Sequence, residues 1–235
     1  MTAAEFGLPH RHFRRTDSTN SRARELVEAG APGGTVVTAR EQTAGRGRQG
    51  RVWTAPEGKA LLYSAILRPL DERHLLLPLS VPLAVCAAAE RLRPGIECAL
   101  KWPNDVWLDG RKLAGVLIEA KPQDGWAVIG VGLNLVIEPD EFPDDLRQPA
   151  ISLEGGVTPE RARPELDAQL GRWAYAGEEE ILAEWRRRDA LLGREIAWEE
   201  GSGVADGIDG RGNLVVIVPD GGRVSLGAGE VQLRL

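Results

Sequence analysis

The chain has 235 residues, enough to bury a full core, and its 43% hydrophobic and 27% charged content is that of a globular protein. A formal net charge of −6 excludes a body that is basic throughout, as a general nucleic-acid binder would be. Two cysteines, Cys86 and Cys98, make no disulfide framework, and the most apolar run, residues 75–89, is too short to span a bilayer and carries Pro78 and Pro82.

The N-terminal stretch has no apolar core of signal-peptide type, so the expected location is the cytoplasm, with both thiols reduced. Residues 12–16 read as a short strand. Asp17, Ser18 and Thr19 offer N-caps for a helix over 20–29, which Gly30 stops. Residues 34–41 are β-branched and bounded by glycine, a buried strand, and 60–67 form another. The spacing predicts a helix over 75–92 ended by Pro94-Gly95, then a strand over 97–101. Val106 to Leu108, the Asp109-Gly110 turn and residues 112–120 read as a hairpin, followed by a strand over 126–136. Residues 139–149 are acidic and proline-containing, a surface loop. A long helical region covers 159–190; its Arg186-Arg187-Arg188 end reads as a solvated terminus that suits the helix dipole. After Gly193 the texture changes to short β-runs separated by glycine turns, a small barrel or sandwich with a boundary near Leu191.

Four motifs carry chemistry. The first is Gly45-Arg46-Gly47-Arg48-Gln49-Gly50-Arg51-Val52-Trp53, with three arginines in a chain whose only lysines are 59, 101, 112 and 121. It satisfies the spacing of a dinucleotide fingerprint, but no helix start follows, and the arginines would crowd the backbone approach that the fingerprint serves. A basic loop that orders around an anion fits better. The second is Lys101-Trp102-Pro103-Asn104-Asp105, which taken alone reads first as a turn between strands and, as its functional reading, offers Asp105 as a magnesium carboxylate. In the third, Arg111 to Gly115, strand alternation puts Lys112 on the face of Ala114, opposite Leu113, with room for a ligand beside the ammonium. In the fourth, Gly130-Val131-Gly132-Leu133-Asn134, glycines inside a strand mark a bulge or the close approach of another group, and Asn134 can donate and accept at once. No Ser-His-Asp or Cys-His arrangement appears; His10, His12 and His74 lie outside all four motifs.

With Asp17-Ser18-Thr19-Asn20 and Glu41-Gln42-Thr43-Ala44 before them, and Gly203-x-Ala205-x-Gly207-Ile208-Asp209 and Gly229-Glu230-Val231 after, these motifs in this order resemble the biotin–protein ligase family over nearly the whole chain. The resemblance implies an α+β fold: a mixed, largely antiparallel sheet packed with helices, of the class II synthetase-like biotin/lipoate ligase type, over 1–190, and a small SH3-like β-barrel over 191–235. It implies an enzyme that makes biotinyl-5′-AMP from biotin and ATP with Mg2+, releases pyrophosphate and transfers biotin to a lysine of a biotin carboxyl carrier domain.

It further implies that Ser18, Thr19, Asn20, Gln42, Gly45, Arg46, Gly115 and Gly130 bind biotin, and that Arg48, Arg51, Trp53, Lys112 and Asn134 bind the nucleotide. Lys112 and Arg48 would act at the reacting phosphate, and Asp105 would hold the metal. Only about ten residues precede the first strand, so no winged-helix repressor region and no sequence-specific DNA binding are expected. Side-by-side sheet pairing into a homodimer is compatible with the resemblance. A lipoate ligase and a non-catalytic biotin- or nucleotide-binding regulator are the competing readings.

Overall fold

The computed structural model describes residues 5–227, 229 and 231–233. Residues 1–4 of the N-terminal stretch and Glu230 of the tail motif lie outside them. Seven strands, β1 (His10–Thr16), β2 (Val36–Gln42), β3 (Ala60–Leu67), β4 (Ala99–Lys101), β5 (Asp105–Leu108), β6 (Arg111–Lys121) and β7 (Trp126–Asn134), join in the order β1-β2-β3-β7-β6-β5-β4. The β1–β2 pair is parallel and every other pair antiparallel. A parallel pair needs a crossover, and α1 (Thr19–Glu28) supplies it between β1 and β2. The Asp-Gly turn between β5 and β6 has φ of 50° at Asp109 and 72° at Gly110, the double positive φ of a tight hairpin.

The sheet is covered on both faces, and β3 shows how its sequence achieves this. Leu61, Tyr63, Ala65 and Leu67 enter the main core, under α2 (Leu77–Leu92) and α3 (Pro159–Trp173). The alternate residues Leu62, Ser64 and Ile66 face the other way, toward α1, whose Ala23 and Val27 pack with Ile66 and Val37. Ser64 is thus the hydroxyl that β3 presents to the α1 face, while the Tyr63 hydroxyl on the other face donates to Asp167.

Three expected boundaries move for local reasons. The second helix begins at Leu77 rather than 75, because Asp71 caps a separate turn at Glu72–His74, accepting from the Arg73 amide while the Asp71 N–H donates to His74 Nδ1. β7 stops at Asn134 because Leu135 and Val136 both turn their amides to the Lys59 carbonyl. The long helical region is two helices, α3 and α4 (Glu178–Arg188), since Gly177 is extended at φ −66°, ψ 149° and restarts the helix as its N-cap.

The arginine triplet at the end of α4 is only partly the solvated terminus expected of it. Arg188 is 9% exposed and bonds Glu184 on its own helix, Glu90 on α2 and the Cys98 carbonyl before β4. Arg187 and Arg188 together pull the Glu184 carboxyl down to about 2 from its ordinary 4.5. A carboxylate depressed on folding stabilises the fold above its ordinary pKa and loses that contribution as pH falls through the folded value. In thermal melts, wild type is therefore expected to exceed Glu184→Gln in Tm at neutral pH, with the gap closing as pH falls from about 4.5 toward 2. A gap independent of pH would contradict this account.

Beyond residue 190, β8 (Glu195–Trp198), β9 (Gly201–Ile208), β10 (Leu214–Ile217), β11 (Arg223–Leu226) and β12 (Gln232–Leu233) form an antiparallel sheet in the order β11-β10-β9-β8-β12. Among the described residues β11 and β12 are its two edges, so the pairing seen is that of an open sheet where a closed barrel was expected. Its Ile196, Ala205, Ile208, Leu214 and Val216 join the main hydrophobic core. No helix among the described residues is long and apolar enough to cross a membrane.

Candidate active site

On the α1 face, the middle of the sheet has a strip without side chains. Gly130 on β7 pairs with Ser64 on one side and Leu117 on the other, and Gly132 pairs with Leu62 and Gly115. The strip exists because other groups lie directly on it. A Cβ on Gly130 would fall 2.2 Å from Asn20 Oδ1, and one on Gly132 would fall 2.3 Å from Trp53 Cε2. One on Gly115 would meet Trp53 Cζ3 at 3.0 Å and Lys112 Nζ at 3.4 Å. Glycine is required here for close approach.

One end of the strip is polar. The Thr19 amide and hydroxyl both reach Gln42 Oε1, at 2.7 and 3.0 Å. Ser64 Oγ lies 2.8 Å from Thr19 Oγ1 and 2.6 Å from Asn20 Oδ1, and Asn20 Nδ2 donates to Glu119 Oε2 at 2.9 Å. Thr19, Asn20 and Ser64 are buried, where an unpaired polar atom is costly, so each fixes the direction of the next. Ser18 is the extended N-cap residue of α1, and its side chain makes no cap bond but lines the cleft.

The glycine–arginine run forms a small hairpin over the strip. Arg46 bridges Val52, Gly47 N donates to Arg51 O at 2.8 Å, and Trp53 N donates to Gly45 O at 3.0 Å. Its tip is the turn at Arg48–Gly50, where Gln49 has φ 54° and Gly50 has φ 73°. Gln49, which the sequence left without a role, is thus a tip residue in the left-handed region. Arg46 pairs with Glu119, NH2 to Oε1 at 2.9 Å and NH1 to Oε2 at 3.2 Å. The Trp53 indole lies against Gly132 and Gly115, and its Nε1 has no hydrogen-bond partner.

The other end is ionic. Lys112 Nζ sits 2.7 Å from Asp105 Oδ1 and 5.7 Å from the centre of the Trp53 ring. Simple alternation does not describe this end of β6: Leu113 and Ala114 are both in the main core, while the Lys112 amine lies beside Gly115. The β5–β6 register shifts between Val106 and Trp107, just where Lys112 pairs, and the bulge frees its side chain toward the cleft. The Lys112 backbone is fixed by its bridge to Ala150, through Pro149 O and Ile151 N. Asn104 Nδ2 is committed to Val116 O at 2.7 Å.

Ser18, Thr19, Asn20, Gln42, Arg46, Arg48, Arg51, Trp53, Asp105, Lys112, Gly115 and Gly130 therefore line one cleft. Gly45, expected to bind biotin, is buried and not among the lining residues; a Cβ there would meet the Trp53 carbonyl at 2.2 Å and Gln42 Nε2 at 2.9 Å. Asn134 is not among the lining residues: it is buried, and its Nδ2 donates to Ile151 O at 3.1 Å with Lys112 O at 3.5 Å. Sequence reading missed Ser64 and Glu119, which join the polar end together. The signal for Ser64 was available, as a small hydroxyl on a strand face whose other residues are apolar. Glu119 follows Gly115 and Leu117 at strand period but has no such mark.

Asp105 is 6% exposed, and among the described residues no three His, Cys, Asp or Glu side chains gather as a metal site. This donor set fits magnesium only as one carboxylate, completed by oxygens of a phosphate ligand and water.

Residues 12–134, more than half of the chain, match the Biotin/lipoate A/B protein ligase family. A biotin--[acetyl-CoA-carboxylase] ligase of Paracoccus denitrificans is 36% identical over 229 residues, covering 89% of this chain and 95% of that protein. The bifunctional ligase/repressor BirA of Bacillus subtilis is 40% identical over 141 residues, and there the match spans 58% of this chain and 43% of the relative. The structure of the biotin protein ligase from Aquifex aeolicus in complex with biotin and ATP superposes with a TM-score of 0.82 at 29% identity, covering 97% of this chain and 99% of that one.

Proposed function

Since the chain belongs to the biotin/lipoate A/B protein ligase family, we propose that it activates biotin with ATP and transfers it to a lysine of a biotin carboxyl carrier domain. The observation that carries this reading is one cleft with a neutral hydrogen-bonding floor at one end and the Lys112 ammonium at the other, under an arginine hairpin. The floor presents hydroxyls and amides at fixed positions, which suits the N–H and C=O groups of a ureido ring. A dithiolane has no such groups and would gain no hydrogen bond from the floor, so lipoate is disfavoured.

In the first step a carboxylate oxygen of biotin attacks the α-phosphorus of ATP and the bond to pyrophosphate breaks. Lys112 and Arg48 place positive charge between two anions that must meet, and hold it where charge builds in the transition state. Arg46 and Arg51 close the hairpin over the ligand. Trp53 offers its face to the adenine. Asn134, outside the cleft lining, supports the site from beneath through the Ile151 and Lys112 carbonyls rather than by touching the adenine. Asp105 would hold Mg2+, which when bound neutralises phosphate charge. In the second step the carrier lysine amine attacks the acyl carbon, AMP leaves, and the lysine proton passes to solvent.

This reading assigns the ligase chemistry to 1–190 and takes 191–235 as a small SH3-like module, consistent with its five antiparallel strands. It puts the enzyme in the cytoplasm, with side-by-side pairing through the β1 edge as its route to a homodimer. Incubation with biotin, ATP, magnesium and a carboxylase carrier domain is expected to add one biotin to the carrier by mass spectrometry. Addition of lipoate and not biotin would refute the assignment.

A further inference from the structure

Glu119 bonds both the arginine hairpin, at Arg46, and the polar floor, at Asn20. It stands on β6 two residues beyond Leu117 and four beyond Gly115, which strand period places on the cleft face. Its side chain is 24% exposed, a partly desolvated carboxylate that needs cationic or N–H partners. It has both kinds. Arg46 gives it two N–H groups in the forked geometry of a guanidinium–carboxylate pair, and Asn20 gives it Nδ2.

Each contact has a consequence on its own side. Arg46 is at the base of the hairpin, opposite Val52, so holding Arg46 fixes the base. Committing Asn20 Nδ2 to Glu119 turns Oδ1 toward Ser64, whose hydroxyl donates to it, so that Ser64 Oγ faces the Thr19 hydroxyl as an acceptor beside Gln42 Oε1. We propose that Glu119 is a positioning residue that latches the closed base of the hairpin to the floor that receives the biotin ring, so that ring binding and hairpin closure reinforce one another. The second half of this proposal rests on the biotin reading; the latch itself does not.

Glu119→Gln keeps the length and an acceptor for Asn20 but removes the charge that holds Arg46. In substrate-free protein, trypsin cleavage after Arg48 and Arg51 is expected to speed up about 3- to 10-fold in this variant, the scale of one partly exposed ion pair. Arg46→Ala, which opens the same latch from the solvent side, should do the same. With substrates, Glu119→Gln is expected to raise the KM for biotin about 5- to 10-fold, with most of the loss in kcat/KM falling on KM.

If Glu119 acts through Arg46, the double variant has the KM of Arg46→Ala alone. Cleavage at the wild-type rate in both single variants, or additive effects on KM, overturns the latch. The proteolysis needs no substrate, so a wild-type protein that forms no biotinyl-adenylate would sink the biotin reading while leaving the latch to be decided by trypsin.

Discussion

Lys112→Ala is expected to slow formation of biotinyl-adenylate by at least ~100-fold, the scale of losing one preorganised electrostatic stabiliser. The argument is geometric before it is electrostatic. The amine is held by Asp105 at 2.7 Å and by the Trp53 face, and its backbone is clamped on both sides by residues 149–151. Little reorganisation is left to perform when two anions arrive. The variant leaves the Asp105 carboxylate without its partner, costing about 1–3 kcal/mol of stability, which the fold can absorb. Circular dichroism should therefore show a folded protein, and ATP–pyrophosphate exchange dependent on biotin reads the rate. Retained exchange activity would make Lys112 a bystander.

Gly130→Ala should weaken biotin binding about 10- to 100-fold, the equivalent of disturbing one or two buried hydrogen bonds. The new methyl would stand 2.2 Å from Asn20 Oδ1, 2.9 Å from its Cγ and 3.0 Å from its Nδ2. A free side-chain end would swing away at little cost. Asn20 is short, roots in the first turn of α1, and is tied to Ser64 at one end and Glu119 at the other, so moving it breaks the floor. Gly210→Ala is the matched control, since a Cβ there meets nothing within 4 Å. Calorimetric titration with biotin compares the two, and equal affinities would show that the floor does not contact the ligand.

The sequence made visible what is local. The basic loop was legible from three arginines among glycines, though not its hairpin form, β3 from a largely apolar run, and the Asp109-Gly110 turn from its two residues alone. Lys112 was legible as a residue but not in its direction, because the bulge that aims it depends on the pairing of β5 with β6. The partners that hold the cleft together come from far apart in the chain. Glu119 meets residues 20 and 46, and Arg188 meets residues 90 and 98, and no spacing along the chain records either encounter.

The texture of the chain changes after residue 190, but the packing does not. Trp102, beside the Asn104-Asp105 corner of the cleft, donates its indole N–H to Gly212 O at 3.1 Å, and Leu79 of α2 lies under Gly212, 2.9 Å from where a Cβ would stand. The Ala190 amide bonds Leu100 O, so the chain covers the β4 edge as it leaves for the second sheet. The tail is therefore not a cassette that could be exchanged between relatives by matching its own fold. A chimera would have to bring the Gly212 carbonyl and the apolar face around Leu214 and Val216 with it, because the corner that carries Asp105 leans on them.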